Sequence, residues 1–138
     1  MRIVLDTNVF LVSLAPDSDY APIFDALLAG QFTMLLSNEV VTEYEEIIAR
    51  RYDHEAVQDV LRLLVALQNT ELISPHYRWK FIHRDPDDDK FVDLAVAGNA
   101  DFIVTNDKHF NALSHIPFPV VKSLKAEVFL EMLAERKR

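Results

Sequence analysis

Two short apolar runs, Ile3-Val4-Leu5 and Phe102-Ile103-Val104, constrain this chain more than any other feature. Neither is long enough for a buried helix. Neither alternates with polar residues, as a strand with one wet face would. They suit strands of a sheet covered on both sides, where inward and outward side chains alike are buried. Thr33 to Leu36 and Val120-Val121 with their flanks read the same way. Helical periodicity fills the chain between them: Tyr20 to Ala29, stopping at Gly30; Asn38 to Tyr52; Glu55 to Gln68; Pro86 to Ala97; and Lys125 to Ala134. Apolar strands alternating with amphipathic helices predict an α/β fold of three layers, a parallel sheet with helices on both faces. The 138 residues contain no repeat or linker, and a single domain spanning 1–138 is expected.

Composition then removes the common functions of such a sheet. Two glycines are too few for a dinucleotide fingerprint, and no P-loop is present. The absence of cysteine excludes a disulfide scaffold and a thiolate zinc site. No apolar run is long enough to span a membrane, and Asp6 falls too early for a secretory leader, so a cytoplasmic protein with no membrane partner is the expectation. The formal charge of -8, from 14 basic and 22 acidic residues, has the wrong sign for gripping nucleic acid by counterion release. Nucleic acid remains a possible partner only if part of that charge is gathered where divalent cations bind.

Four acidic positions stand out. Asp6 follows the first apolar run directly, and Asp107 follows Phe102-Ile103-Val104 after Thr105-Asn106. Ligands of open α/β sheets bind outside the carboxyl ends of the strands. Either aspartate alone is explained by helix capping, but two released at the same sheet edge favour a site. In the helix from Asn38, the stripe of Val40, Val41, Tyr44, Ile47 and Ile48 leaves Glu43 and Glu45 equally near its margins, so periodicity does not choose between them. In Asp85-Pro86-Asp87-Asp88-Asp89-Lys90-Phe91, Asp85 and Pro86 look like a helix start. The apolar face of Phe91, Val92, Leu94 and Ala95 projects back through Asp88, while Asp89 shares the opposite face with Asp93. An inward-facing carboxylate needs a partner, and a hard divalent cation such as Mg²⁺ is a natural one. Such a cation orients water and neutralises charge on a phosphodiester. The five histidines form no helical metal pair; His109 stands near Asp107 as a weak candidate for substrate contact.

These residues resemble the PIN-domain nucleases. The matching features are Asp6-Thr7-Asn8 after a first strand, Ser37 with Glu43 six residues later, the acids that open a later helix, and Thr105-Asn106-Asp107. The run from Asp85 to Phe91, with Ala95 and Gly98-Asn99-Ala100-Asp101, is most similar to the toxin components of prokaryotic toxin–antitoxin pairs (VapC-like). The resemblance covers residues 1 to about 122. It implies a metal-binding catalytic set of Asp6, Glu43, Asp88 and Asp107, choosing Glu43 over Glu45, with Asn8, Thr105 and Asn106 as site support. It also implies Mg²⁺ or Mn²⁺ as cofactor, cleavage of single-stranded RNA, a protein antitoxin partner and a homodimer. Asp89, beside Asp88, is the alternative third acid. Arg84, Lys90 and Lys108 are candidate RNA contacts at the rim.

Two other functions fit parts of the pattern. An Asp after the first strand is phosphorylated in receiver-type and phosphatase domains, and Lys122 suits the former, although Asn8 stands where a phosphatase of the haloacid-dehalogenase type carries an acid. A non-catalytic binding domain with the same fold and acids is the third reading.

Overall fold

The computed structural model describes residues 1–82 and 86–136. The apolar runs form strands as expected: β1 (Arg2–Leu5), β2 (Thr33–Leu36) and β4 (Phe102–Val104), joined by β3 (Thr70–Leu72) and β5 (Ser123–Leu124). All pairings are parallel, in the order β3-β2-β1-β4-β5. β1 is therefore central, with Ile3 opposite Met34 on one side and Phe102 on the other. Ile3, Val4, Met34, Leu35, Ile103 and Val104 are fully buried, which accounts for strands without polar alternation.

The helices are α1 (Thr7–Ser13), α2 (Ala21–Leu28), α3 (Asn38–Arg51), α4 (His54–Ala66), α5 (Asp89–Ala97) and α6 (Ala126–Arg136). The chain steps outward from β1 to β2 to β3, then crosses back to β4. Right-handed crossovers in opposite directions place helices on opposite faces. α1 packs against both α2 and α3, and α4 against α3, while α5 lies directly on β1, β2 and β4. α6 returns to pack beside α2, with Phe129 edge-on to Phe32 at 5.4 Å between ring centroids. Reversal of the winding between β1 and β4 opens a crevice at the carboxyl ends of these two strands.

The far end of the sheet is locked by the Gly98-Asn99-Ala100-Asp101 turn. Arg2 donates its backbone N–H to Asp101 Oδ2 at 2.7 Å and its Nε–H to the Gly98 carbonyl at 2.9 Å. A Cβ on Gly98 would lie 2.5 Å from Ile73 Cδ1 and 2.7 Å from Leu35 Cδ1, so the residue is small because α5 ends against the sheet. Asn99 takes the left-handed conformation (φ 53°) that turns the chain out of the helix.

Four elements depart from the sequence reading. β3 is an edge strand of three residues, of which Glu71 and Leu72 are exposed, so it carries no apolar run. The strand expected around Val120-Val121 lies further on. Val120 is 67% exposed, and pairing to β4 runs through the Lys122 and Leu124 carbonyls, which accept from the Ile103 and Thr105 amides at 2.9 Å. A stretch of 3₁₀ helix, Lys108–His115, follows β4 where no helix was anticipated. The helix expected from Pro86 begins as a 3₁₀ turn, Pro86–Asp88, before α5. Asp85 and Arg84 lie outside the described residues.

Candidate active site

Asp6 leaves β1 at the crevice. It occupies the N-cap position of α1 and meets the Asn8 amide there, but its Oδ2 is not spent on the cap. Its Oδ2 instead accepts from the Thr105 hydroxyl at 2.6 Å. Burial pushes the Asp6 carboxyl above its ordinary range. The Thr105 hydrogen bond and the Asn8 amide oppose that rise, and the neighbouring charges of Glu43 and Asp107 add to it. Thr105, buried at the end of β4, also accepts from the Asp107 amide at 3.0 Å. One hydroxyl thus ties both strand-end aspartates.

Asp107 caps the 3₁₀ segment, accepting from the His109 amide at 2.9 Å. The same turn folds the His109 ring back, with Nδ1 3.4 Å from Asp107 Oδ1 and 4.0 Å from Asp88 Oδ2. Asp88 reaches this point from the N-terminus of α5, and its side chain is only 14% exposed. Asp89 faces another way. Its Oδ1 accepts from the Ile82 amide at 2.8 Å, which separates it from Asp88 despite their adjacency.

Glu43 enters from α3. Its Oε2 accepts from the Thr7 hydroxyl and its Oε1 from Lys90 Nζ at 2.8 Å, with the Lys90 and Glu43 side chains 18% and 23% exposed. Next to it, Tyr44 is fully buried and donates its hydroxyl to the Leu5 carbonyl at 2.5 Å, pinning α3 to the end of β1. Burial, reinforced by Asp6 and Glu43, raises the Tyr44 pKa well above its ordinary value, so the hydroxyl stays a donor. A shallow groove of about 250 Å³ runs past Asp6, Thr7, Asn8, Glu43, Ile47 and Arg51.

The crevice thus collects Asp6, Glu43, Asp88 and Asp107, in two parts. Asp88, Asp107 and His109 each offer one ligand atom, all within 4.8 Å of one another. Asp6 and Glu43 stand alongside, coupled to that group through Thr105 and through their charges. The set fits a divalent cation. It offers two carboxylates and a buried imidazole Nδ1 that makes no hydrogen bond among the described residues.

Three assignments change. Asn106 faces away from the acids: its Nδ2 donates to the Tyr20 hydroxyl at 2.6 Å and its Oδ1 accepts from the Ala126 amide at 3.0 Å, so it clips α6 to the loop after β4. Lys90 is the half-buried partner of Glu43 rather than a rim cation, while Lys108 is exposed. Asp93, placed by periodicity on the outer face of α5, is buried where its carboxylate meets the Trp79 amide. The sequence reading gave Thr7 no role of its own and placed Lys90 at the rim rather than on Glu43. Thr7 follows Asp6 directly, and Lys90 stands two residues after Asp88, but only the fold shows that both meet Glu43.

A parallel sheet with carboxylates gathered where its winding reverses defines a class of α/β domains with an acidic crevice. This chain belongs to the PIN-domain family, whose model matches residues 2–109. The receiver and phosphatase readings built on Asp6 alone give way to that assignment. No curated protein matched the sequence. Among solved structures, the chain is similar to VapBC2 from Rickettsia felis, crystallised with a DNA fragment from its promoter, at 19% identity and a TM-score of 0.61 over 91% of this chain and 98% of that one. It is also similar to VapC20 of Mycobacterium tuberculosis, a toxin that cleaves the sarcin-ricin loop (16%, TM-score 0.58, 80% and 93%). The PIN domain of T. brucei RRP44 matches at 16% and 0.53, over 98% and 82%. At these identities the likeness concerns the fold.

Proposed function

We propose that the chain is a divalent-metal-dependent endoribonuclease that cleaves single-stranded RNA and serves as the toxin of a toxin–antitoxin pair. The observation that carries this reading is the convergence of Asp88, Asp107 and His109 on one point, with Asp6 and Glu43 beside it. Asp88, Asp107 and His109 would hold Mg²⁺ or Mn²⁺, with Asp6 reaching the cation through water. A nitrogen donor in the set favours Mn²⁺ over Mg²⁺. The bound cation supplies positive charge for a phosphate oxygen and a lowered pKa for water.

The protein's own residues do the rest. Glu43, fixed by Thr7 and Lys90, orients a water molecule; Asp6, fixed by Thr105, receives its proton. Asn8, exposed at the start of α1, stands on the groove floor beside Asp6. A cation in the cluster also gives a chain of net charge -8 a means of meeting an anionic strand.

A protein antitoxin and a homodimeric state belong to the same reading, supported by family membership and by likeness to VapBC2 and VapC20. Among the described residues no helix is long and apolar enough to cross a membrane. The deciding experiment measures cleavage of single-stranded RNA with Mn²⁺ by the wild type and by Asp6→Asn. Cleavage by the wild type and a loss of about 100-fold or more in the variant are expected, the scale of removing a positioned proton acceptor. Equal activity in the two proteins sinks the chemistry.

A further inference from the structure

After β3, residues 73–82 contain no acid. Within them, Tyr77, Trp79 and Phe81 alternate with Arg78 and Lys80. The aromatic rings form a ladder, with centroids 4.5 Å apart from Tyr77 to Trp79 and 5.7 Å from Trp79 to Phe81. This strap is held to α5 at two points by carboxylates that accept backbone amides, Asp93 from Trp79 at 2.9 Å and Asp89 from Ile82 at 2.8 Å. Phe81 packs on the core and Trp79 is half-buried, whereas Tyr77 is 64% exposed. Core packing therefore explains the lower end of the ladder and leaves its upper end without a role.

The strap borders a groove of about 430 Å³ where Arg78, Lys80 and Lys90 are interspersed with Glu39, Asp87, Asp89 and Asp93. Lys90 is also the partner of Glu43, so this groove adjoins the acidic crevice. Arg78 pairs with Glu39 at 2.8 Å, but both side chains are more than half exposed. Such a pair contributes little and exchanges readily for a phosphate.

We propose that Tyr77 and the exposed part of Trp79, backed by Phe81, form a stacking platform for the bases of single-stranded RNA, with Arg78 and Lys80 meeting its phosphates, and that it leads the strand to the acidic crevice. The identity of the strand rests on the ribonuclease reading; the platform itself rests on the ladder and its charge. Aromatic faces accept any base, and interleaved cations track the backbone, which is how single strands are held without sequence preference. A duplex keeps its bases stacked on each other and has no face to offer.

The chain has one tryptophan, and it lies in the ladder, so its fluorescence reports stacking directly. Short single-stranded oligo(A), titrated into the intact protein in EDTA, is expected to quench Trp79 emission, with a duplex of the same length doing so far less. Tyr77→Ala should weaken oligo(A) binding by about 5- to 100-fold, the range for losing one base–aromatic stack, and Tyr77→Phe should retain it. Circular dichroism checks that Tyr77→Ala is folded. Unchanged binding by Tyr77→Ala, equal quenching by duplex, or no quenching at all overturns the platform. Mn²⁺-dependent cleavage, measured separately on the wild type, keeps the two proposals distinct. Quenching without cleavage counts against the nuclease alone, and cleavage with unchanged Tyr77→Ala binding counts against the platform alone.

Discussion

The Thr105 hydroxyl donates to Asp6 Oδ2 at 2.6 Å while accepting the Asp107 amide at 3.0 Å, so one side chain at the end of β4 sets the positions of two acids from different strands. Thr105→Val keeps the shape and removes both interactions. It is expected to lower Mn²⁺ affinity and RNA cleavage by about 10- to 100-fold, as for other residues that orient metal ligands. Thr105→Ser, which keeps the hydroxyl, should stay near the wild type. Calorimetric Mn²⁺ titration and a cleavage assay read both effects. Wild-type affinity in Thr105→Val would show that the hydroxyl does not position the acids.

The Glu43–Lys90 pair gives a test of which acids face the cation. Lys90→Met leaves Glu43 in a half-buried place without its cation partner. The metal-free protein should lose about 1–2 kcal/mol, between the values for exposed and fully buried pairs. Saturating Mn²⁺ should narrow that deficit if Glu43 takes part in holding it. Thermal melts of both proteins with and without Mn²⁺ measure the difference. A deficit unchanged by Mn²⁺ would place Glu43 outside the cation's reach.

Asp93 predicts a pH effect of definite sign. It is 5% exposed, and burial holds its carboxyl above the ordinary aspartate value of 3.8. The Trp79 amide and Arg78 oppose this, and the charges of Asp89 and Glu39 add to it. Folding therefore favours the protonated form. Its contribution to stability is complete below 3.8 and is lost as pH rises through the elevated folded value. Asp93→Asn keeps an acceptor for the Trp79 amide and removes the titration. Melting temperatures followed from the ordinary carboxylate range to neutrality should decline less in the variant, which should equal or exceed the wild type at neutral pH. A steeper decline in the variant would reverse the sign.

What the sequence disclosed follows from how local each cause is. Asp6 and Asp107 were legible because each closes an apolar strand, a pattern written within a few residues. Asp88 was legible because helix periodicity extends back from Phe91 and Ala95. Glu43 was not separable from Glu45 by periodicity, since what distinguishes it is the Thr7 hydroxyl 36 residues away and Lys90 47 residues away. Family resemblance supplied what local pattern lacked. The same distance explains Asp93, outward-facing by its own helix yet buried where the Trp79 amide, 14 residues earlier, meets its carboxylate. β3 escaped notice because an edge strand with exposed side chains has no apolar signature.

Among the strands of the described residues, the central one precedes the other four in the chain. β1 gains its β2 neighbour early, but the residue that fixes Asp6 lies 99 positions later, and Asp107 and His109 come after that. A growing polypeptide holds Asp6 and Glu43 yet lacks the group formed by Asp88, Asp107 and His109. Long-range pairings of this kind close late in folding. Order of manufacture thus delays the crevice itself: an unfinished chain does not have it until β4 and the turn after it have been added.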